Sequence, residues 1–548
     1  MMKSSELVSS LGFPVNSKAG LATLVKSEWT TGALLAVIAG LPTLFLWNRA
    51  SYLTGDSYQY LRAAMSFSNN QGLRDMSGNP FTVMTPLYPL VVGIVHRIVP
   101  LLEIETAARL VSFAGATTAV VALYWLLRSR FSLRTSFAAA LLFALLPLRV
   151  WSGLWALSEG LYLGLIMLGV AVLFRPMKRF WFSALLGGIL LGLAYLTRPE
   201  ANLYVAGVIG LFLIKRRGPK TALVVLAGFL VVAAPYHAWV YRVTGNPGSG
   251  RMHILLAQSQ SLYEGNLSRV FLLEEVQPDG SVVSRLGSEM TPSAIAKRYV
   301  FFARVEIGRV VYLLGPYLLV MALLIVGAAV CLAANIRQVM RKFQFADTWP
   351  LLLASWLLFL PLLHIEDRYL LPVLPAFLLW LVLIMLALQK LVAAKLPQRS
   401  KQVAALLPLA FIAVFVLSYS YRLTTQLPQN DASVFARNTA HWWESERLSP
   451  APILSQNPDL AFFTNGQHRW MPAGEPADVL KYAQRNGVQY LYVSSQDVPS
   501  PLNELLLGNA TAIPESLKLL HEESEGPRLG RLFTFKSTEN VISSNLHL

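Results

Sequence analysis

Long apolar runs, separated by short charged strips, recur along most of the chain. A helix needs about 20 predominantly apolar residues to cross a hydrocarbon layer of roughly 30 Å. Runs that reach or approach this length cover 30–48, 104–127, 135–149, 153–174, 181–197, 201–214, 221–241, 307–334, 349–363, 369–389 and 403–420. The pattern predicts an all-α polytopic membrane protein with eleven to thirteen transmembrane helices. The stretch Thr85–Pro100 is also apolar. It reads as an interfacial or partly inserted helix, because a full crossing there inverts every later loop unless a further span compensates. After residue 420 the pattern changes. Helical periodicity at 433–446 and 476–486 alternates with the β-rich runs QYLYVS and RLFTF, which predicts a small C-terminal α/β domain over 421–548.

Composition strengthens the membrane reading. Of 548 residues, 54% are hydrophobic and 14% charged, against about 25% charged in an ordinary soluble domain. An ordinary cytosolic enzyme, a disordered chain and a disulfide-stapled secreted module are excluded. The single cysteine, Cys331, lies within an apolar run and allows no disulfide framework.

The net charge of +16 would suggest nucleic acid if it were spread over the surface, and it is not. Twenty basic residues fall in six strips beside the spans, around Lys18, Arg130, Arg175, Lys215, Arg341 and Lys395, with three acids among them; elsewhere 26 bases face 27 acids. This is the positive-inside pattern, so nucleic acid is not a partner. It places 1–29 in the cytoplasm, a membrane core at 30–420 with outer loops 49–103 and 242–306, and 421–548 outside. The polar first 29 residues lack a short apolar core with a cleavage site, so the first span is expected to be a retained anchor.

Ionisable groups next to hydrocarbon are costly to keep there and are functional candidates by default. Asp56, in LTGDSYQYLRAA, suits a helix N-cap and equally a base that takes a proton from a hydroxyl nucleophile. Glu159 stands at the outer end of an otherwise uncharged span and needs either a polar cavity or an arginine from a neighbouring helix. Arg198 and Glu200 break two apolar runs at LAYLTRPEANLY, where the arginine either grips an anionic head group or belongs to a plain polar hairpin. His364, Glu366, Asp367 and Arg368 form a dense mixed cluster between two spans. It suits a phosphate site better than a metal site, although a divalent metal remains open. His237, with Arg242, Arg251 and His253 after it, is a weaker anion-site candidate.

Taken together, TPLYPLVVGIVHRIVP with ETAARLVSFAGATTAVVALYWLLRSRF, then LSEGLYLGLIMLG, LAYLTRPEANLYVAGVIGLFLIKRR and DRYLLPVLPAFLLW, resemble the membrane GT-C glycosyltransferases. The likeness is to bacterial protein O-mannosyltransferases and aminoarabinose–lipid A transferases, and it covers about residues 30–420. It implies sugar transfer from a polyprenyl-phosphate donor to a glycan, lipid or protein acceptor, on the outer face of a prokaryotic plasma (inner) membrane. Carried over by position, the resemblance implies Asp56 as the general base, Glu159 as the second acid, and Arg198, His364 and Arg368 as candidates for holding the donor phosphate; with no lysine at Thr85, Arg62 joins those candidates. Two positions depart from the family pattern. Ser57 stands where an Asp-Glu pair is common, which puts any metal role in doubt, and Thr85 stands where a lysine is common. Two other readings compete: a transporter or flippase for an anionic lipid or solute, and a non-catalytic scaffold that presents the C-terminal domain. Neither inverted halves nor midplane charges favour the first, and the second leaves Asp56 and Glu159 without a role.

Overall fold

The computed structural model describes residues 21–49, 53–175, 180–214, 218–246, 251–265, 272, 274–284, 292–314, 348–362, 366–395, isolated positions between 413 and 425, and 432–508, 513–525 and 528–535. The expected spans 307–334 and 403–420 lie largely outside these residues, as do His364 and Cys331, and so do the side chains of Arg251 and His253.

The first half is a helical bundle: α1 (Leu21–Phe45), α2 (Gly55–Ser68), α3 (Leu87–Ile98), α4 (Ile104–Arg128), α5 (Leu133–Leu145), α6 (Pro147–Ser152), α7 (Glu159–Phe174), α8 (Phe180–Thr197), α9 (Ala201–Ile214) and α10 (Pro219–Thr244). Helix α11 (Arg251–Tyr263), the hairpin β1 (Glu274–Val276) and β2 (Val282–Ser284), and helices α12 (Pro292–Leu314), α13 (Trp349–Ala354) and α14 (Leu374–Lys395) follow. Four helical stretches, Glu28–Phe45, Ile104–Arg128, Phe180–Thr197 and Pro219–Thr244, are long and apolar enough to cross a membrane, and six shorter apolar ones accompany them among the described residues. The protein is a multi-pass membrane protein.

Helix boundaries follow local chemistry. Two expected spans, 135–149 and 153–174, start or stop elsewhere. Leu146 is extended (φ −61°, ψ 124°) because it precedes Pro147, so α5 stops at Leu145 and a separate short turn of helix follows. Helix α7 begins only at Glu159. The Thr85–Pro100 stretch holds the 12-residue α3, about 18 Å long, which is too short to cross.

Helix α4 is the ruler of the bundle. Its 25 residues extend about 37 Å. Near one end Glu105 pairs with Arg437 of the C-terminal domain at 2.7 Å. At the other end Arg128 reaches Glu28 at 3.4 Å, which also holds Arg175 at 3.2 Å. The contact with the C-terminal domain and the basic strips therefore mark opposite ends of one helix.

Helix α7 lies against α4 through glycines. A Cβ on Gly160 would collide with the Ser112 carbonyl, and one on Gly164 would stand 2.6 Å from the Gly115 carbonyl. Small residues four apart allow this backbone approach, and the contact seats the start of α7, where Glu159 lies.

The C-terminal domain has α15 (Ala432–Ser445), β3 (Pro452–Ser455), α16 (Asp459–Phe463), β4 (Gln467–Trp470), α17 (Pro476–Arg485), β5 (Tyr490–Ser494), α18 (Pro501–Leu507), β6 (Leu517–Glu525) and β7 (Arg528–Phe535). The sheet order is β4-β3-β5-β7-β6, parallel through β4-β3-β5 and antiparallel beyond. Alternation along the strands sends Leu454, Leu491 and Val493 to the side of α17 and α18, and Ile453, Tyr492 and Leu532 to the side of α15 and α16. The hairpin from loop 242–306 docks here as well, with the Val276 amide on the Ala473 carbonyl at 2.9 Å and the Ala473 amide on the Glu274 carbonyl at 2.7 Å.

Candidate active site

Asp56 sits in the first turn of α2. The cap is Thr54, not Asp56: Thr54 Oγ1 accepts from the Ser57 amide and Ser57 Oγ from the Thr54 amide, a capping box. Asp56 is thus left for the Arg368 guanidinium, whose Nη2 lies 3.5 Å from Asp56 Oδ2.

Arg368 lies in a short 3-10 turn, Asp367–Leu370, after α13 and the 3-10 turns Ser355–Leu358 and Leu360–Leu362. It also faces Glu159 Oε1 at 3.3 Å and pairs through Nε with Glu366. The same Glu159 oxygen holds Arg198, which reaches Glu200 at 3.1 Å with its other nitrogen. One ion-pair chain therefore runs Asp56–Arg368–Glu159–Arg198–Glu200, with Glu366 as a branch. Arg198, Glu159 and Glu200 are buried, while Asp56 and Glu366 are half-exposed. Glu159 Oε2 has no hydrogen-bond partner among the described residues.

Neighbouring groups hold this chain in shape. The Tyr369 ring lies 4.9 Å from the Arg198 guanidinium and 5.4 Å from that of Arg368, so one aromatic ring steadies both cations. Trp356 Nε1 donates to the Tyr369 carbonyl at 2.8 Å. The turn that precedes Glu159 is tied to α4, where Ser112 Oγ donates to the Leu157 carbonyl and Arg109 Nε to that of Leu154. Tyr60 donates to Ser158 Oγ at 3.3 Å, which joins α2 to the same turn. Thr85 is buried and its hydroxyl donates to the Thr197 carbonyl at 2.6 Å, next to Arg198. Beside the cluster opens a recess of about 300 Å³, mouth included, whose lining includes Glu159, Arg198, Glu200, Arg368, Trp356 and Tyr369.

The structure thus joins Asp56, Glu159, Arg198, Glu200, Glu366 and Arg368. The other candidates stand apart. Asp367 pairs with Arg309 at 2.7 Å. His237 Nε2 lies 2.9 Å from the Tyr195 hydroxyl, with the two rings stacked. Arg242 is exposed at the end of α10. Arg62 is turned toward the C-terminal domain and bonds Asn465 and the Gly466 carbonyl. Sequence reasoning missed Tyr369, Trp356 and Tyr162, whose ring lies 5.9 Å from the Arg198 guanidinium; the proximity of Tyr369 to Arg368 and of Tyr162 to Glu159 was the available signal. Among the described residues no group of three or more His, Cys, Asp or Glu side chains is arranged for a metal ion. Asp56, Glu159 and Glu366 surround Arg368, so a guanidinium stands where a shared cation would.

ArnT from Cupriavidus metallidurans has a similar structure. In the apo state it superposes with a TM-score of 0.57 and 13% identity, over 93% of this chain and 98% of that one. Bound to undecaprenyl phosphate it gives 0.56 and 12%, over 91% and 97%. The chain has the GT-C fold. An Archaeoglobus fulgidus oligosaccharyltransferase aligns less well, with a TM-score of 0.47 and 14% identity over 84% of this chain and 69% of that one. No protein-family model and no curated protein sequence matches the chain. At these identities the likeness to ArnT speaks for the GT-C architecture, and the chemistry has to be argued from the cluster.

Proposed function

We propose that this GT-C protein is an inverting glycosyltransferase that moves a sugar from a polyprenyl-phosphate donor to a glycan, lipid or protein acceptor. The reaction takes place on the outer face of a prokaryotic plasma membrane, with the N-terminus cytoplasmic and residues 421–548 outside. The observation that carries this reading is the single cluster in which a half-exposed carboxylate, Asp56, and two arginines, Arg368 and Arg198, meet beside a recess. The ArnT fold supports it, since that protein is described bound to undecaprenyl phosphate.

The chemistry follows from the charges. The donor phosphate enters beside Arg368 and Arg198 and takes up the guanidinium donor that Asp56 holds in its absence. Asp56 accepts the proton of the acceptor hydroxyl as its oxygen attacks the anomeric carbon. The bond from that carbon to the phosphate oxygen breaks, and the electron pair leaves with the polyprenyl phosphate. The two cations stabilise the departing anion, so no general acid is needed. One displacement by one base inverts the anomeric configuration, whereas retention calls for a second, nucleophilic carboxylate, as in glycosidases. Glu159 serves as the anchor that keeps both arginines in place.

The test uses purified protein in detergent, radiolabelled polyprenyl-phosphate sugars and an envelope extract as acceptor. Label transfer that Asp56→Asn removes supports the reading. No transfer from any sugar in the panel, together with movement of the donor across the bilayer of proteoliposomes, overturns it in favour of a lipid transporter.

A further inference from the structure

Helix α2 has two working faces. At 100° per residue, Gly55, Tyr58 and Arg62 fall on one side, and Asp56, Tyr60 and Ala64 on the other. The second side is turned into the bundle. Asp56 meets Arg368, Tyr60 meets Ser158, and a Cβ on Gly93 of α3 would stand 2.8 Å from the Ala64 carbonyl.

The first side is covered by one stretch of the C-terminal domain, residues 458–466. A Cβ on Gly55 would lie 3.9 Å from Pro458 Cδ. The buried Tyr58 ring packs against Phe462 at 5.5 Å and Phe463 at 5.7 Å. Arg62 Nη2 donates to the Gly466 carbonyl at 2.8 Å, and Nη1 donates to Asn465 Oδ1. Asn465 has a left-handed backbone (φ 54°), which asparagine tolerates well, and it turns the chain at the end of α16 toward Arg62. Just beyond α2 the His468 amide donates to the Met76 carbonyl at 2.9 Å and Ser77 Oγ to the His468 carbonyl at 2.9 Å.

We infer that the C-terminal domain is a working part of the transfer site: segment 458–466 holds α2 from behind, and Arg62 is a positioning residue for Asp56. This rests on the reaction proposed for Asp56. Arg62 lies 6 positions after Asp56 and about 120° round the helix from it, with its guanidinium engaged by the domain. It therefore acts on the register and tilt of the helix that carries the base, not on the donor phosphate. A misplacement of about 1 Å at a reacting group can cost a hundredfold in rate.

The experiment compares wild type, Arg62→Ala, Arg62→Lys and Phe462→Leu in the full chain, with donor affinity and turnover measured separately. Expected are donor affinity within about twofold of wild type, turnover lowered at least about tenfold in Arg62→Ala and Phe462→Leu, and partial recovery in Arg62→Lys, which keeps one donor for the Gly466 carbonyl. Wild-type turnover in Arg62→Ala and Phe462→Leu overturns the inference. So does weakened donor affinity with unchanged turnover in Arg62→Ala, since that marks a donor-binding residue. If wild type itself transfers no sugar, it is the transferase reading that fails.

Discussion

Asp56 and the two arginines call for different substitutions because their surroundings differ. Asp56 is half-exposed and its contact to Arg368 is a long one, and asparagine keeps its size and polarity, so Asp56→Asn should fold normally. It should bind labelled donor as wild type does and lose transfer by about 10²–10⁴, the usual worth of a positioned base. Retained turnover would remove Asp56 from that role. Arg368 makes pairs to three carboxylates, of which Glu366 and Asp56 are partly open to solvent. Arg368→Ala should therefore be tolerated in folding and weaken donor binding about tenfold or more, and unchanged affinity would exclude it as a phosphate ligand. Arg198 is enclosed, with Glu159 and Glu200 both buried against it. Arg198→Ala leaves two buried carboxylates short of a cation, a change that typically costs about 3–5 kcal/mol. It should appear first as lost stability in a thermal melt.

At the scale of elements, Gly160 decides where Glu159 stands. Its missing Cβ would meet the Ser112 carbonyl, a backbone atom that cannot rotate aside, so Gly160→Ala must push α7 away from α4. The expected outcome is a lower melting temperature together with reduced transfer. The control is Gly210→Ala in α9, where a Cβ meets nothing within 4 Å; equal behaviour of the two variants would refute the argument. The same region marks how far the sequence could be read. Apolar runs announced the helices, because a lipid-facing helix needs little beyond length. They misplaced the break, read at 150–152 but lying at Leu146, before Pro147, and over 153–158, because Leu, Trp and Ala are as apolar in a turn as in a helix. Asp56, Glu159, Arg198 and Arg368 stood out as charges among apolar neighbours, yet their pairing did not. Asp56 and Arg368 are 312 positions apart, and no local period encodes such a contact. The partners of Arg62 were as illegible, since they lie more than 400 positions away.

At the scale of the whole molecule, the C-terminal domain adds a dependence on pH that the membrane core does not dictate. Asp459, after β3, is buried, and burial, with the charge of Asp497 added, pushes its carboxyl up to about 8. Burial pushes Asp497 up to about 6, against hydrogen bonds from the Ser494 amide and Asn457 that favour its charged form. His468 is driven down to about 4 by burial. The signs differ. A carboxyl raised in the folded state binds its proton better there than in the unfolded chain, so its stabilisation is complete below about pH 4 and is lost as pH climbs toward the folded value. A histidine lowered in the folded state weakens the fold only as pH drops below its ordinary range. Above about pH 7.5 the histidine is neutral in both states and Asp497 is ionised in both, so among these three groups Asp459 alone governs the slope up to about pH 8. Stability should fall there by at most about 1.4 kcal/mol per pH unit. Hydrogen exchange of strands β3 and β5, corrected for intrinsic chemical rates, should lose protection at a rate of up to about tenfold per pH unit between about pH 7.5 and 8. Asp459→Asn keeps the shape of the neutral acid and should flatten that slope. An equal slope in the variant would assign the pH dependence to another group. Because Pro458 of the same segment lies against the start of α2, a loosened 458–466 segment should lower transfer along with protection as pH rises, and Asp459→Asn should move both together.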